Sequence, residues 1–244
     1  MNAPVNKRRA FIAATGVGAA GLAIAPGIRL IEAATADESG AKLASGKVRW
    51  GMLIDSTKCK SDCNACVGAC NKENGIVEQV ADPRQRSQWV RKIDLVEKRT
   101  GKQHSLPMMC QHCAKPPCVD VCPTGASFKR ADGLVLVDRH ICIGCRYCMM
   151  ACPYKARSFV HQPLTTQNPE MPRGVGCVES CTMCVQRIDR GMKPACVEAC
   201  PETAILFGDL NDDNSDIAKR LKEVASTQVR AELQLDTGVR YQGI

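Results

Sequence analysis

The chain has 244 residues, 45% of them hydrophobic but only 4% aromatic, with 17 cysteines and a formal net charge of +8. Its longest apolar stretch, Ala10 to Ala25, holds sixteen residues, short of the ~20 a membrane-spanning helix needs, so the sequence predicts a mature chain not integral to a membrane. Few large apolar side chains beside so many thiols predict a fold organised around metal, with metal binding contributing to the folding free energy.

The amino terminus reads Lys7-Arg8-Arg9-Ala10-Phe11-Ile12, then a Gly/Ala-rich apolar run, Pro26, Arg29 and Ala34-Thr35-Ala36. Paired arginines, an apolar run and an Ala-x-Ala site in that order predict a twin-arginine signal read through Arg8, Arg9 and Phe11 and cleaved after Ala36. Gly16-Val-Gly-Ala-Ala-Gly21 matches a dinucleotide fingerprint, with Asp37 ~20 residues on. No strand can precede a loop so close to a charged leader, and that reading is rejected. Val48 to Asp55 predicts a strand leading into a first cysteine group, Cys59, Cys63, Cys66 and Cys70. A connection over residues 71–109 follows, with a strand over Trp89 to Val96. The second group is Cys110, Cys113, Cys118 and Cys122, and the third is Cys142, Cys145, Cys148 and Cys152. Between them lie an Asp132-Gly133 turn and a Leu134–Val137 strand. Pro163 to Gly176 predicts a loop, and the fourth group is Cys181, Cys184, Cys196 and Cys200. A strand over Ala204 to Phe207, ended by Gly208, precedes a helix over Ser215 to Ala225 with Ile217, Leu221 and Val224 on one face. The tail, Leu235 to Ile244, is expected as an edge strand or as a partner contact.

Three groups end in Cys-Pro: Cys122-Pro123, Cys152-Pro153 and Cys200-Pro201. The third group is the C-x2-C-x2-C-x3-C-P run of bacterial iron-sulfur proteins, whose fourth cysteine ligates the other cluster of a two-cluster unit. A cubane cluster needs four converging thiolates, a tight loop delivers three, and a remote Cys-Pro supplies the fourth, its proline ending the short helix that carries it. Groups therefore work in pairs. Groups two and three make one ferredoxin-like unit, and groups one and four, flanking it, pair most economically with each other. The predicted fold is α+β: two ferredoxin-like modules, one inserted in the other, with short antiparallel strands and short helices. The expected organisation is a signal over 1–36, the outer module's first half over 37–105, the inner module over 106–160, the outer module's second half over 161–210, and a C-terminal helix and tail over 211–244.

Export and cluster chemistry explain one another. Clusters must be inserted where iron, sulfide and reduced thiols are available, so export has to follow folding, and the same argument weighs against a disulfide framework. The leader holds four basic residues and one acid, leaving 29 basic against 24 acidic residues, a net of +5. Each oxidised cluster with four thiolates carries about −2, which brings a four-cluster protein to about −3. The basic excess thus offsets cluster charge, and nucleic-acid binding is not expected.

Ala69-Cys70-Asn-Lys-Glu-Asn74, Cys110-Gln-His-Cys113-Ala-Lys-Pro-Pro-Cys118, Cys122-Pro-Thr-Gly-Ala126 and Glu179-Ser-Cys181-Thr-Met-Cys184 make residues 48 to 210 resemble the four-cluster electron-transfer subunits of dimethyl-sulfoxide reductase, polysulfide reductase and formate-dependent nitrite reductase complexes. The stretch from Pro123 to Gly133 and that from Cys145 to Arg157 look most like the DsrO type, the exported iron-sulfur subunit of the sulfite-reductase-associated Dsr membrane complex. The resemblance implies 4Fe-4S clusters on Cys110, Cys113, Cys118 with Cys152; on Cys142, Cys145, Cys148 with Cys122; on Cys59, Cys63, Cys66 with Cys200; and on Cys181, Cys184, Cys196 with Cys70. Four clusters are expected, or three if the loop at Cys59 holds none. That loop has three residues between its first two cysteines where the family usually has two, and Asn71 replaces the proline after Cys70. The implied role is periplasmic electron transfer on the outer face of the cytoplasmic membrane, with no substrate site of its own. The implied partners are a polytopic quinone-reactive membrane subunit, an exported multihaem cytochrome c and the other Dsr membrane complex subunits. A molybdopterin catalytic subunit is the alternative partner, and a colourless structural zinc module the alternative of a different class. Cys177, the odd cysteine, reads as a buried thiol rather than a ligand. His112, between two ligands, is placed to hydrogen-bond a sulfur.

Overall fold

A computed structural model describes residues 44–76, 80, 82–164 and 167–244. The predicted signal, its cleavage site and the rejected glycine motif lie outside the described residues.

The sheet nearest the amino terminus centres on β1 (Trp50–Asp55), whose Met52 and Ile54 are fully buried. The strand β8 (Ile205–Asp209) pairs with it antiparallel, and the tail strand β9 (Val239–Gln242) pairs parallel on its other side. The antiparallel expectation therefore fails at one edge. The helix α6 (Asp216–Glu223) and the turns after it carry the chain from β8 at one edge, past β1, to β9 at the other. Ser215 caps α6, its hydroxyl accepting from Ala218 N at 3.1 Å, and Ile217 is fully buried. Gly208 does not end β8 as the sequence suggested. A Cβ there would meet Ile217 Cγ2 at 2.9 Å, so this glycine makes room for α6 against the strand.

The strands β2 (Val90–Val96) and β3 (Gln103–Met109) form a long hairpin. Two shorter antiparallel pairs follow: β4 (Ser127–Lys129) with β5 (Val135–Val137), and β6 (Arg157–Phe159) with β7 (Val178–Ser180). Five short helices carry the chain past the cysteines. They are α1 (Ala65–Glu73), α2 (Pro117–Asp120), α3 (Tyr147–Ala151), α4 (Val185–Ile188) and α5 (Ala195–Glu198). The helix α1 packs on α5, and α2 on α3. Thus the chain before the second cysteine group meets the chain after the third, through β1 with β8 and through α1 with α5.

The core takes in many of the ligand candidates, with Cys66, Cys70, Cys110, Cys113, Cys152, Cys181 and Cys196 among its members. Among the described residues, no helix is long and apolar enough to cross a membrane.

Candidate metal centres

The structure delivers each cysteine group from a short loop into a short helix. The strand β3 ends one residue before Cys110, α2 carries Cys118, and Cys122 follows at its exit. The third group repeats this plan, with Cys148 in α3 and Cys152 as its C-terminal cap. In the C-x2-C turn that opens each of groups two, three and four, the residue before the second cysteine is left-handed: His112 at φ 44°, Gly144 at φ 69° and Met183 at φ 57°. This conformation costs a non-glycine residue roughly 1–2 kcal/mol, so His112 and Met183 hold strain that the surrounding fold imposes. At Gly144 even a Cβ is excluded, since it would lie 2.3 Å from the Gly176 carbonyl oxygen. The longer Cys59–Cys63 loop has no left-handed residue.

None of the seventeen cysteines is in a disulfide. Cys152 acts electrostatically on Cys110, Cys113 and Cys118, while Cys122 and Cys142 act on Cys148. On the outer sets, Cys200 acts on Cys59 and Cys66, and Cys70, Cys184 and Cys196 surround Cys181. Some contacts cross between the implied sets, Cys148 with Cys118 and Cys66 with Cys70 and Cys196. Cys145, between Cys142 and Cys148, is the one exposed cysteine. Burial, and then the neighbouring thiols, push Cys113 up to about 12. Cys110 and Cys196 also rise to about 12 by burial, and burial carries Cys70 and Cys181 well above the usual thiol range. Cys122 behaves oppositely: slight burial raises it, but the N–H of Ser127 and the hydroxyl of Thr124 outweigh this and lower it. Further donors reach sulfur at Cys200 from Ala204 N (3.3 Å), at Cys181 from Met183 N (3.4 Å) and at Cys70 from Asn74 Nδ2 (3.6 Å). Such bonds to sulfur are a lever on cluster potential.

One cavity is lined by all four of Cys110, Cys113, Cys118 and Cys152, with Pro116, Pro117, Pro153, Tyr154 and Arg157 completing its wall. Around it the structure leaves buried donors without partners: His112 Nε2, Tyr154 OH and Arg157 Nη1. His112 Nδ1 accepts from Val135 N at 3.0 Å, which puts the ring proton on Nε2. Burial drives its pKa down to about 3, and it is neutral. Orphaned donors around four convergent thiols fit an inorganic cluster whose sulfides are acceptors. Among the described residues, no three His, Cys, Asp or Glu side chains gather closely enough to hold a single metal ion.

The C-terminal tail straps the second group's loop. Leu235 O accepts from Ala114 N at 3.0 Å, Gly238 N donates to Gln111 O at 2.9 Å, and Thr237 bridges to Cys113. Tyr241 is fully buried, and its hydroxyl donates to Pro107 O at 3.1 Å. Cys177 is buried and donates to Arg139 O at 3.3 Å, a satisfied thiol beside the third group. The residues that sequence reasoning did not single out are Arg157, at the cavity wall, and Lys92. Lys92 Nζ reaches across from β2 to donate to the carbonyls of Cys63, at 2.8 Å, and of Lys60.

Residues 102–210 match the 4Fe-4S dicluster domain family. The chain is 42% identical to the Hdr-like menaquinol oxidoreductase iron-sulfur subunit 1 of Archaeoglobus fulgidus, over 96% of this chain and 97% of the relative. The chain belongs to the family of 4Fe-4S iron-sulfur subunits of oxidoreductases. It is 36% identical to one of the subunits of the tetrathionate reductase of Salmonella typhimurium, over 89% of this chain and 80% of that one. It is 40% identical to protein NrfC of Escherichia coli, over 72% of each. Membership makes 4Fe-4S clusters its cofactors, and it is an electron-transfer subunit rather than a catalytic one.

Proposed function

We propose that the protein is the exported, four-cluster conduit of a membrane-associated redox complex, passing electrons between a quinone-reactive membrane subunit and exported redox partners in dissimilatory sulfur metabolism. The observation that carries this reading is the clustering of fifteen of the seventeen cysteines into four neighbourhoods, two within the 110–152 stretch and two formed by segments that flank it. That pairing supports an inner two-cluster module inserted in an outer one. Each set has four thiols, so no iron keeps an open position for substrate. When bound, the clusters supply one-electron redox steps. The chain's own residues position the thiolates, exclude water from the inner cavity and direct donors at sulfur.

The exposed Cys145 supports electron exchange with a partner at that end, because Ile141, Ile143, Tyr147 and Met150, which flank the third group's ligands, are all exposed apolar side chains. The name of the archaeal relative, a menaquinol oxidoreductase subunit aligned over nearly all of this chain, supports a quinol-linked complex. Export by the twin-arginine route rests on Arg8, Arg9 and Phe11 with cleavage after Ala36, and gives a periplasmic, peripheral location. The assignment to the DsrO type, with a multihaem cytochrome c and the other Dsr membrane subunits as partners, rests on the motif resemblance. The second reading, a conduit to a molybdopterin catalytic subunit, rests on the resemblance to the wider family. Co-purification of the tagged chain from native membranes decides between them: a cytochrome c and a polytopic subunit support the first reading, and a molybdopterin subunit overturns it in favour of the second.

A further inference from the structure

Arg157 opens β6, where its backbone is fixed by pairing with Ser180 of β7. It is 6% exposed. Two other deeply placed arginines are matched with acids: Arg173 is paired with Glu179, and Arg130 with Asp132 and Asp189. Arg157 has no carboxylate partner among the described residues. Its contacts are with sulfur. Nη2 donates to Cys118 Sγ at 3.1 Å, and Cys110 and Cys148 are electrostatic neighbours. Nη1 is buried with no partner. Cys118 and Cys110 belong to one inner set and Cys148 to the other, so this one guanidinium lies between the two.

A buried guanidinium without a counter-charge is strongly unfavourable. The fold accepts one here because both neighbouring sites become net negative when loaded. We propose that Arg157 is the shared counter-ion of the two inner clusters, a fixed cation that raises the reduction potential of both and keeps them matched for exchanging an electron. The inference rests on the four-cluster reading above. The physics is direct: reduction adds one negative charge to a centre that is already negative, and a cation in hydrogen-bond contact with its thiolate stabilises the reduced form more than the oxidised one. An electron leaving one inner cluster arrives on the other, and the cation faces both states of that exchange. Arginine suits the position because its charge is permanent and its fork leaves a second donor, Nη1, free for a cluster acceptor.

The test uses the full chain in its native complex, purified anaerobically as wild type, Arg157→Gln and Arg157→Lys. Iron per chain is measured, and each cluster is titrated with a chemical reductant under paramagnetic resonance. The inner signals are identified as those lost in Cys110→Ser and Cys142→Ser. The expected result for Arg157→Gln is unchanged iron and at least a tenfold fall in the reduced-to-oxidised ratio of both inner clusters at a fixed potential. That fall equals about 59 mV for a one-electron centre. The outer pair stays in place, and Arg157→Lys stays near wild type. Unchanged inner potentials in a fully loaded Arg157→Gln, an equal shift in all four clusters, or a lysine variant shifted as far as glutamine would each overturn the proposal. If Arg157→Gln loses the inner iron, the lysine variant decides. Full iron with near-native potentials supports the charge role, and the same loss marks a structural strut and overturns it. A wild-type chain with fewer than four clusters would instead sink the underlying four-cluster reading.

Discussion

Lys92 tests whether the longer first loop holds a cluster. The Cys59–Cys63 turn lacks the left-handed residue that shapes the opening turns of the other three groups, so its shape must be fixed from outside. Lys92 Nζ does this by donating to the carbonyls of Lys60 and Cys63, and its charge opposes the rise that burial imposes on Cys59. Hydrogen bonds to a charged donor contribute about 1.5–3 kcal/mol each, but the Lys60 bond is exposed and is screened by solvent. A total of about 2 kcal/mol is reasonable, which at about 1.4 kcal/mol per decade is roughly thirtyfold in the retention of that cluster. Lys92→Met should therefore lose iron from one cluster roughly thirty times faster than wild type under an anaerobic ferrous chelator, leaving the other three centres at wild-type rates. Lys102→Met, at the exposed hairpin tip, should change nothing. A Lys92→Met protein that retains all its iron with wild-type kinetics would refute the reasoning.

Anaerobic analysis should approach sixteen irons per chain, and Cys177→Ser should leave that number alone because its thiol donates to Arg139 O. Cys110→Ser should lose one cluster or convert it to a three-iron form. A count near twelve in the wild type would remove the cluster at Cys59. For pH, burial raises Cys110, Cys113 and Cys196 from 9.0 to about 12 in the metal-free fold. Below pH 9 these thiols are protonated in both folded and unfolded chains. Between pH 9 and about 12 the unfolded chain releases protons that the folded one keeps, so metal-free stability falls as pH rises. Iron-bound thiolates do not titrate there. The melting-temperature gap between loaded and stripped protein should thus widen from pH 8 to pH 10, and a constant gap would contradict the burial of these thiols. Replacing Arg8 and Arg9 together by lysine should leave the protein in the cytoplasm with clusters intact, and normal export of that variant would rule out the twin-arginine signal.

The cysteine spacing made the chemistry legible from the sequence, because ligand geometry is encoded locally. Alternating or continuous apolar runs likewise revealed β1, β2, β5 and β8, and a helical period with a serine cap revealed α6. The strand β3 was missed because Pro107 interrupts its pattern. The structure tolerates this proline opposite Lys92 in a two-stranded hairpin, where the ladder has an open side. The helices α2 to α5, at four or five residues, are shorter than any period that could announce them. Gly208 was misread because its reason lies further along the chain, in the Ile217 side chain packed over it. Arg157 and Lys92 look like ordinary basic residues in sequence. Their meaning depends on which thiols the fold brings to them, and only the tertiary arrangement carries that.

The most direct test of the central claim is the absorbance of the clusters in the intact, anaerobically purified complex after addition of a quinol. The account predicts reduction of the clusters in the complex, reversed by an exported oxidised partner, and no turnover of quinol, sulfite or polysulfide by the detergent-free chain alone. Clusters that stay redox-silent in the complete complex, or a pure chain that catalyses such a reaction by itself, would contradict it.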